Sequence, residues 1–124
     1  MTPSKAARYW GLPVPEYLRR ADVWPLNPDG ELIALIMIES PVGLKNLDEI
    51  LSVPGVGAIF LGTNDLSYRQ GLGLGSSPEA EESVQKILKG CLAKKVICGL
   101  PGGNKAAAEK RVAEGFKIIL GGGN

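Results

Sequence analysis

Four apolar stretches, rich in β-branched residues, punctuate the chain: Leu32–Ile38, Ala58–Leu61, Val96–Leu100 and Lys117–Leu120. None alternates polar with apolar residues, so each reads as a strand covered on both faces, the signature of a parallel sheet. Between them the period turns helical. In PVGLKNLDEILSV (41–53), Val42, Leu44, Leu47, Ile50 and Leu51 recur at helical spacing before the Pro54-Gly55 break. SSPEAEESVQKILKGCLAKK (76–95) predicts a longer helix, with Ser77 as N-cap, Pro78 at the first helical position and acidic residues in the first turn. Its apolar stripe is Val84, Ile87, Leu88, Cys91 and Leu92, and Lys94 and Lys95 close its C-terminal end. NKAAAEKRVAEG (104–115) starts at Asn104 as N-cap and stops at Gly115. The order β-α-β-α-β-α-β is that of an α/β fold.

The first 30 residues differ: they hold Pro3, Pro13, Pro15, Pro25 and Pro28, five of the nine prolines, and both tryptophans. They predict a connecting arm with one short helix in VPEYLRRAD and a turn at PLNPDG, leading into a domain over residues 31–124. That domain has four strands, and its last is followed only by GGGN. A (β/α)8 barrel takes about 250 residues, and 124 are close to half of one. The expected architecture is a partial (β/α)8 TIM barrel of about four parallel strands with covering helices.

Composition narrows the function. With 44% hydrophobic and 22% charged residues and a net charge of +1, the chain reads as a globular protein with no electrostatic case for nucleic acid or an anionic membrane. The longest apolar run, Leu32–Ile38, is far short of the ~20 residues that span a bilayer, and residues 1–12 lack a signal-peptide core. A cytoplasmic location is expected. Cys91 and Cys98 fit no zinc spacing and read as small core residues in a reducing compartment. There is no histidine, so an imidazole base would have to come from elsewhere.

Two carboxylates stand out. The run Leu32–Ile38 ends on Glu39, and Ala58–Leu61 leads through Gly62, Thr63 and Asn64 to Asp65. In parallel α/β sheets, active sites collect at the carboxyl ends of the strands. Neighbouring strands lie ~4.8 Å apart, so side chains at adjacent tips can share one cation. Two hard oxygen ligands with open positions suit Mg²⁺ or Mn²⁺. The plainer reading has Asp65 capping a helix from Leu66 and Glu39 paired with a lysine. Gly62 lets backbone approach a ligand, and the amides of Asn64 and Asp65 could hold a carboxylate. GLGLG (71–75) follows a polar loop rather than a strand, so it reads as a loop and not a dinucleotide fingerprint. GLPGGNK lacks the order of a P-loop. GGGN (121–124) follows a late strand, where barrel loops often hold anions, and Leu100 and Pro101 could line a pocket or close a turn.

IMIESPVGLKNLDEILSVPGVGAIFLGTNDLS (36–67) resembles the metal-dependent pyruvate aldolases of the HpcH/HpaI aldolase/citrate lyase family, macrophomate synthase-like members included. That family shows a strand ending in Glu, a helix with N-L-D-E-I, and then a strand running into G-P-x-D-L-S. The likeness continues more weakly through residues 94–124 and back through ARYWGLPVPEYLRRAD and WPLNPDGE, nearly the whole chain. It corresponds to the C-terminal half of the family barrel.

The resemblance implies that Glu39 and Asp65 are metal ligands. It implies that the amides of Gly62, Thr63, Asn64 and Asp65 grip the pyruvate carboxylate, and that Leu100 lines the pocket near the aldehyde. Thr63 stands where the family more commonly has proline. The chemistry implied is class II: a divalent metal, Mg²⁺ first with Mn²⁺ or Co²⁺ as alternatives, chelates pyruvate and stabilises its enolate. A 4-hydroxy-2-oxo acid is thereby cleaved to pyruvate and an aldehyde. The family's catalytic Arg and His come from the first barrel half, so a truncated aldolase is expected, a homo-oligomer if full-length. The competing readings are a non-catalytic interaction module with open sheet edges and a small phosphate- or nucleotide-binding domain.

Overall fold

A computed structural model describes residues 4–121. Its centre is a four-stranded, all-parallel sheet of β3 (Leu35–Ile38), β4 (Ala58–Leu61), β5 (Ile97–Pro101) and β6 (Ile118–Leu120), ordered as in the chain. Ahead of it come α1 (Ser4–Tyr9), α2 (Val14–Arg20), and the two-residue strands β1 (Val23–Trp24) and β2 (Leu32–Ile33), which pair with each other in parallel. Helices α3 (Pro41–Lys45) and α4 (Leu47–Leu51) join β3 to β4, α5 (Thr63–Arg69) and α6 (Pro78–Lys94) join β4 to β5, and α7 (Lys105–Glu114) joins β5 to β6. This is a partial (β/α) barrel.

The two longest helices are delimited by the capping chemistry expected of them. Ser77 Oγ accepts from Ala80 N at 3.1 Å with Pro78 at the helix start, and Lys95 ends α6 in the left-handed region at φ 56°. Asn104 Oδ1 accepts from Ala107 N at 2.9 Å, and Gly115 stops α7 at φ 119°. The sheet's helix-covered face follows the two-residue period. Ile38, Ile59, Leu61, Cys98 and Leu100 join Leu47, Leu51, Val84, Ile87 and Phe116 in one buried cluster. Burying a side chain such as Ile87 contributes roughly 1.5–3 kcal/mol.

Several expectations are corrected. The run Leu32–Ile38 is two strands that part at Ala34, β2 pairing with β1 and β3 with β4, and Ala34 O accepts both Gly57 N (3.1 Å) and Ala58 N (3.0 Å). β3 is not buried on both faces: as an edge strand with one neighbour among the described residues, it leaves Leu35 48% and Met37 53% exposed. Residues 41–53 form two short helices about Asn46 (φ −92°, ψ 15°) rather than one. Leu92, at the margin of the α6 stripe, is exposed. Cys91 and Cys98 are buried as expected but joined as a disulfide, since α6 packs on β5 with their Cα atoms 6.1 Å apart. Gly71, Gly73 and Gly75 adopt positive φ in open space, as a loop does. Most of the GGGN segment, residues 122–124, lies outside the described residues.

Among the described residues, no helix is long and apolar enough to cross a membrane.

Candidate functional site

The carboxyl ends of β3, β4 and β5 lie side by side, because parallel strands in consecutive order end at one edge. Ile38 is in register with Leu61, and the ladder continues one step further, Gly62 N donating to Ile38 O at 3.0 Å. Side chains alternate faces along a strand. Ile38 faces the helices, so Glu39, like Met37, belongs to the opposite face, which would be the barrel interior.

Gly62 decides how that face is built. A Cβ placed on it would lie 2.9 Å from Glu39 Cβ, 3.4 Å from Glu39 Oε2 and 3.4 Å from Met37 Sδ. The Glu39 side chain, its Cβ above all, therefore lies where a side chain at position 62 would have to fit. The Gly62 amide is already committed to Ile38, so Gly62 contributes room rather than a donor.

Beyond Gly62 the chain enters α5 at once. The helix starts at Thr63, not Leu66, so Asp65 sits in its first turn, and no side-chain cap bond is formed there. Gly62 O accepts from Leu66 N at 2.8 Å. The Thr63, Asn64 and Asp65 amides precede that bond and have no partner within the helix, as first-turn amides do not. Asp65 and Arg69 are four residues apart and share a helix face. Arg69 Nη2 reaches Glu39 Oε1 at 3.6 Å, so this face of α5 is turned toward the tip of β3. Glu39's ionic partner is thus an arginine, not the lysine of the plainer reading.

Leu100 is placed differently. It is buried on the helix-covered face, in the same cluster as Leu61. It also borders a cleft of about 240 Å³ between α5, α6 and α7, together with Thr63, Asn64, Gly102 and Arg111. The structure thus brings Glu39 against Gly62 and Arg69 of α5, and sets Leu100 on the other side of the sheet.

The cleft wall carries a charge cluster that sequence reasoning missed. Arg111 on α7 donates from Nη1 and Nη2 to the two oxygens of Glu81 on α6, both at 2.6 Å, and from Nη1 to Glu114 at 2.9 Å. Gln85 Nε2 adds bonds to Glu81 (2.8 Å) and Glu114 (3.2 Å). The Arg111 hydrogen bonds hold the Glu81 carboxyl at about 2, and Glu81 in turn raises the Arg111 guanidinium. Burial pushes Glu114 up, but bonds from Arg111 and Gln85 more than offset it and leave it below the ordinary value. The Arg111–Glu114 spacing was a local signal for part of this cluster; Glu81 lies 30 residues from Arg111, and nothing in the sequence joined them. The signal for Arg69 was its spacing of four from Asp65, visible once α5 is known to be a helix.

The chain resembles known proteins over almost its whole length. The family model described as HpcH/HpaI aldolase/citrate lyase matches residues 11–123. A hydroxypyruvate/pyruvate aldolase of Delftia acidovorans is 32% identical, covering 82% of this chain and 40% of that protein. A 2-keto-3-deoxy-L-rhamnonate aldolase of Salmonella paratyphi B is 32% identical, covering 94% of this chain and 40% of that protein. This chain therefore spans about 40% of the length of the curated relatives it matches. Among solved structures, a HpcH/HpaI aldolase/citrate lyase family protein from Burkholderia cenocepacia J2315 superposes with a TM-score of 0.69 at 26% identity, over 82% of this chain and 39% of that one. On the extent of the family match, this chain belongs to the HpcH/HpaI aldolase/citrate lyase family.

Proposed function

We propose that this chain carries the metal- and carboxylate-binding half of an aldolase-type carbon–carbon lyase, one that cleaves 4-hydroxy-2-oxo acids to pyruvate and an aldehyde. The observation that carries the reading is the space left by Gly62, which seats the Glu39 carboxylate beside the first turn of α5. Three features fit a divalent cation. The donors offered are carboxylate oxygens, which suit hard cations. The position facing Glu39 would be filled by any Cβ at residue 62. A cationic group, the Arg69 guanidinium, already lies against Glu39.

In this reading Glu39 and Asp65 hold the ion, Mg²⁺ in the first instance. When bound, it supplies Lewis-acid stabilisation of negative charge on the ketone oxygen. The chain's own residues do the rest of the binding. The Thr63, Asn64 and Asp65 amides donate to the substrate carboxylate, at the end of α5 where the backbone dipoles favour an anion. Gly62 keeps the approach open. Leu100, with Thr63 and Asn64, walls a cleft on the helix-covered side of the sheet, away from Glu39. Cleavage breaks the C3–C4 bond: the C4 hydroxyl gives up its proton to water as the aldehyde C=O forms, the bond's electron pair stays on C3 of the pyruvate enolate, and C3 then takes up a proton from water to give pyruvate. The chain contains no histidine, and we assign neither proton to any of its residues. The activities for which the relatives are named, hydroxypyruvate/pyruvate and 2-keto-3-deoxy-L-rhamnonate aldolase, both concern small 2-oxo acids.

One observation favours a second reading, a non-catalytic interaction module: β3 leaves its outer edge unpaired within the described residues, with Leu35, Ile36 and Met37 exposed.

Calorimetric titration of the full chain with Mn²⁺ tests the first reading. Asp65→Ala is expected to abolish binding; unchanged binding in that variant overturns the site.

A further inference from the structure

We infer that Arg69 is the resident counter-cation of Glu39 and sets how tightly a divalent ion binds at the proposed Glu39–Asp65 site. The inference rests on the metal-site reading above and goes beyond it, since it assigns a role to a residue outside the ligand pair.

The geometry is that of a replaceable partner. Arg69 Nη2 stands 3.6 Å from Glu39 Oε1, beyond hydrogen-bond range, with the Arg69 side chain 56% and the Glu39 side chain 38% exposed. Exposed ion pairs of this kind contribute at most about 1 kcal/mol, so little is lost when the guanidinium swings away. Among the described residues no second anion tethers Arg69. This contrasts with Arg111, which two carboxylates hold at 2.6–2.9 Å.

Arg69 is also correctly placed to act on the ion. It shares a face of α5 with Asp65 and reaches across to Glu39, so it contacts one proposed ligand from the helix of the other. An incoming cation must take Glu39 from Arg69 and then share the site with a positive charge a few ångströms away. Both effects weaken metal binding.

The test compares Mn²⁺ affinity, read from the free-ion electron paramagnetic resonance signal, in the full chain and in Arg69→Gln, Arg69→Lys and Asp65→Asn. Thermal melts without metal accompany each. Arg69→Gln is expected to bind Mn²⁺ about fivefold more tightly, roughly 1 kcal/mol, with an unaltered melting temperature, while Arg69→Lys keeps the parent affinity. Equal or weaker binding by Arg69→Gln, with binding lost in Asp65→Asn, overturns the role of Arg69 and leaves the metal site standing. Binding that survives in Asp65→Asn, or is absent from the parent and every variant, overturns the metal site and this inference with it.

Discussion

Arg111 and Arg69 both face carboxylates, and the structure treats them in opposite ways. Arg111 bridges two helices, donating to Glu81 and Glu114 at 2.6–2.9 Å, with its side chain only 18% exposed. Arg69 lies 3.6 Å from one carboxylate at the open end of the sheet. In the first cluster both Arg111 Nη atoms, both Glu81 oxygens and Glu114 Oε2 are bonded within the protein, so the charges serve to hold α6 against α7. In the second, Glu39 has one loose partner and Asp65 makes no cap bond. Charge left unsatisfied at a strand tip is available to a ligand; charge consumed by fork-like pairing is not.

The largest effect should come from breaking the tight cluster. Arg111→Gln leaves Glu81 part-buried without its guanidinium and Glu114 with only Lys110 as a cation, at 3.6 Å, and is expected to cost about 2 kcal/mol. Chemical denaturation measures the loss. The same variant should bind Mn²⁺ like the parent, because the cluster lies on the helix side of the sheet; a parallel fall in Mn²⁺ affinity would merge the two regions that the comparison separates.

Acid probes the same cluster with no mutation. Glu81 is held at about 2 in the fold against 4.5 for the free group. A depressed carboxyl stabilises the fold above its unfolded value, and that contribution is lost as pH falls through the folded one. The chain should therefore lose about 1–2 kcal/mol between pH 4.5 and pH 2, a figure already reduced for solvent screening. Arg111→Gln should flatten that limb of the stability curve.

Gly62→Ala turns to the open cluster. The new methyl would sit 2.9 Å from Glu39 Cβ, so the Glu39 side chain must shift. Overpacking of this size costs about 1 kcal/mol or more in a rigid core and less at an exposed strand tip. The readout is Mn²⁺ affinity, expected to fall by about tenfold, which corresponds to ~1.4 kcal/mol.

What the sequence revealed of these regions follows from how local each feature is. The caps of α6 and α7 rest on Ser77 and Asn104 bonding amides three residues away, so the residues alone announced them. The meeting of Glu39 with Gly62 was legible because parallel strands share an edge and both residues end apolar runs. The start of α5 was not: the plainer reading begins that helix at Leu66, whereas Thr63, Asn64 and Asp65, weak helix formers, join it as the chain turns directly off β4. Arg69 stayed hidden with it. The α6–α7 ion cluster and the Cys91–Cys98 link depend on tertiary packing, which no single window of sequence contains. The exposure of β3 was missed because a continuous apolar run does not say whether its strand is central or at an edge.

Asp65→Ala has the smallest expected effect on the fold, and it separates the two clusters most cleanly. The side chain is exposed in the first turn of α5, makes no cap bond there, and follows a turn whose backbone bond, Leu66 N to Gly62 O, does not involve it. Its loss removes only the attraction between a carboxylate and the start of a seven-residue helix, about 0.3–1 kcal/mol. Some of that is returned by the better helix propensity of alanine. The net change in unfolding free energy should stay within about 0.5 kcal/mol, the range of ordinary surface substitutions. A residue that matters to Mn²⁺ and hardly at all to stability is one the fold does not need for itself. If Asp65→Ala instead unfolded as readily as Arg111→Gln, Asp65 would belong with the satisfied charges, and the contrast between Arg69 and Arg111 would be one of distance alone.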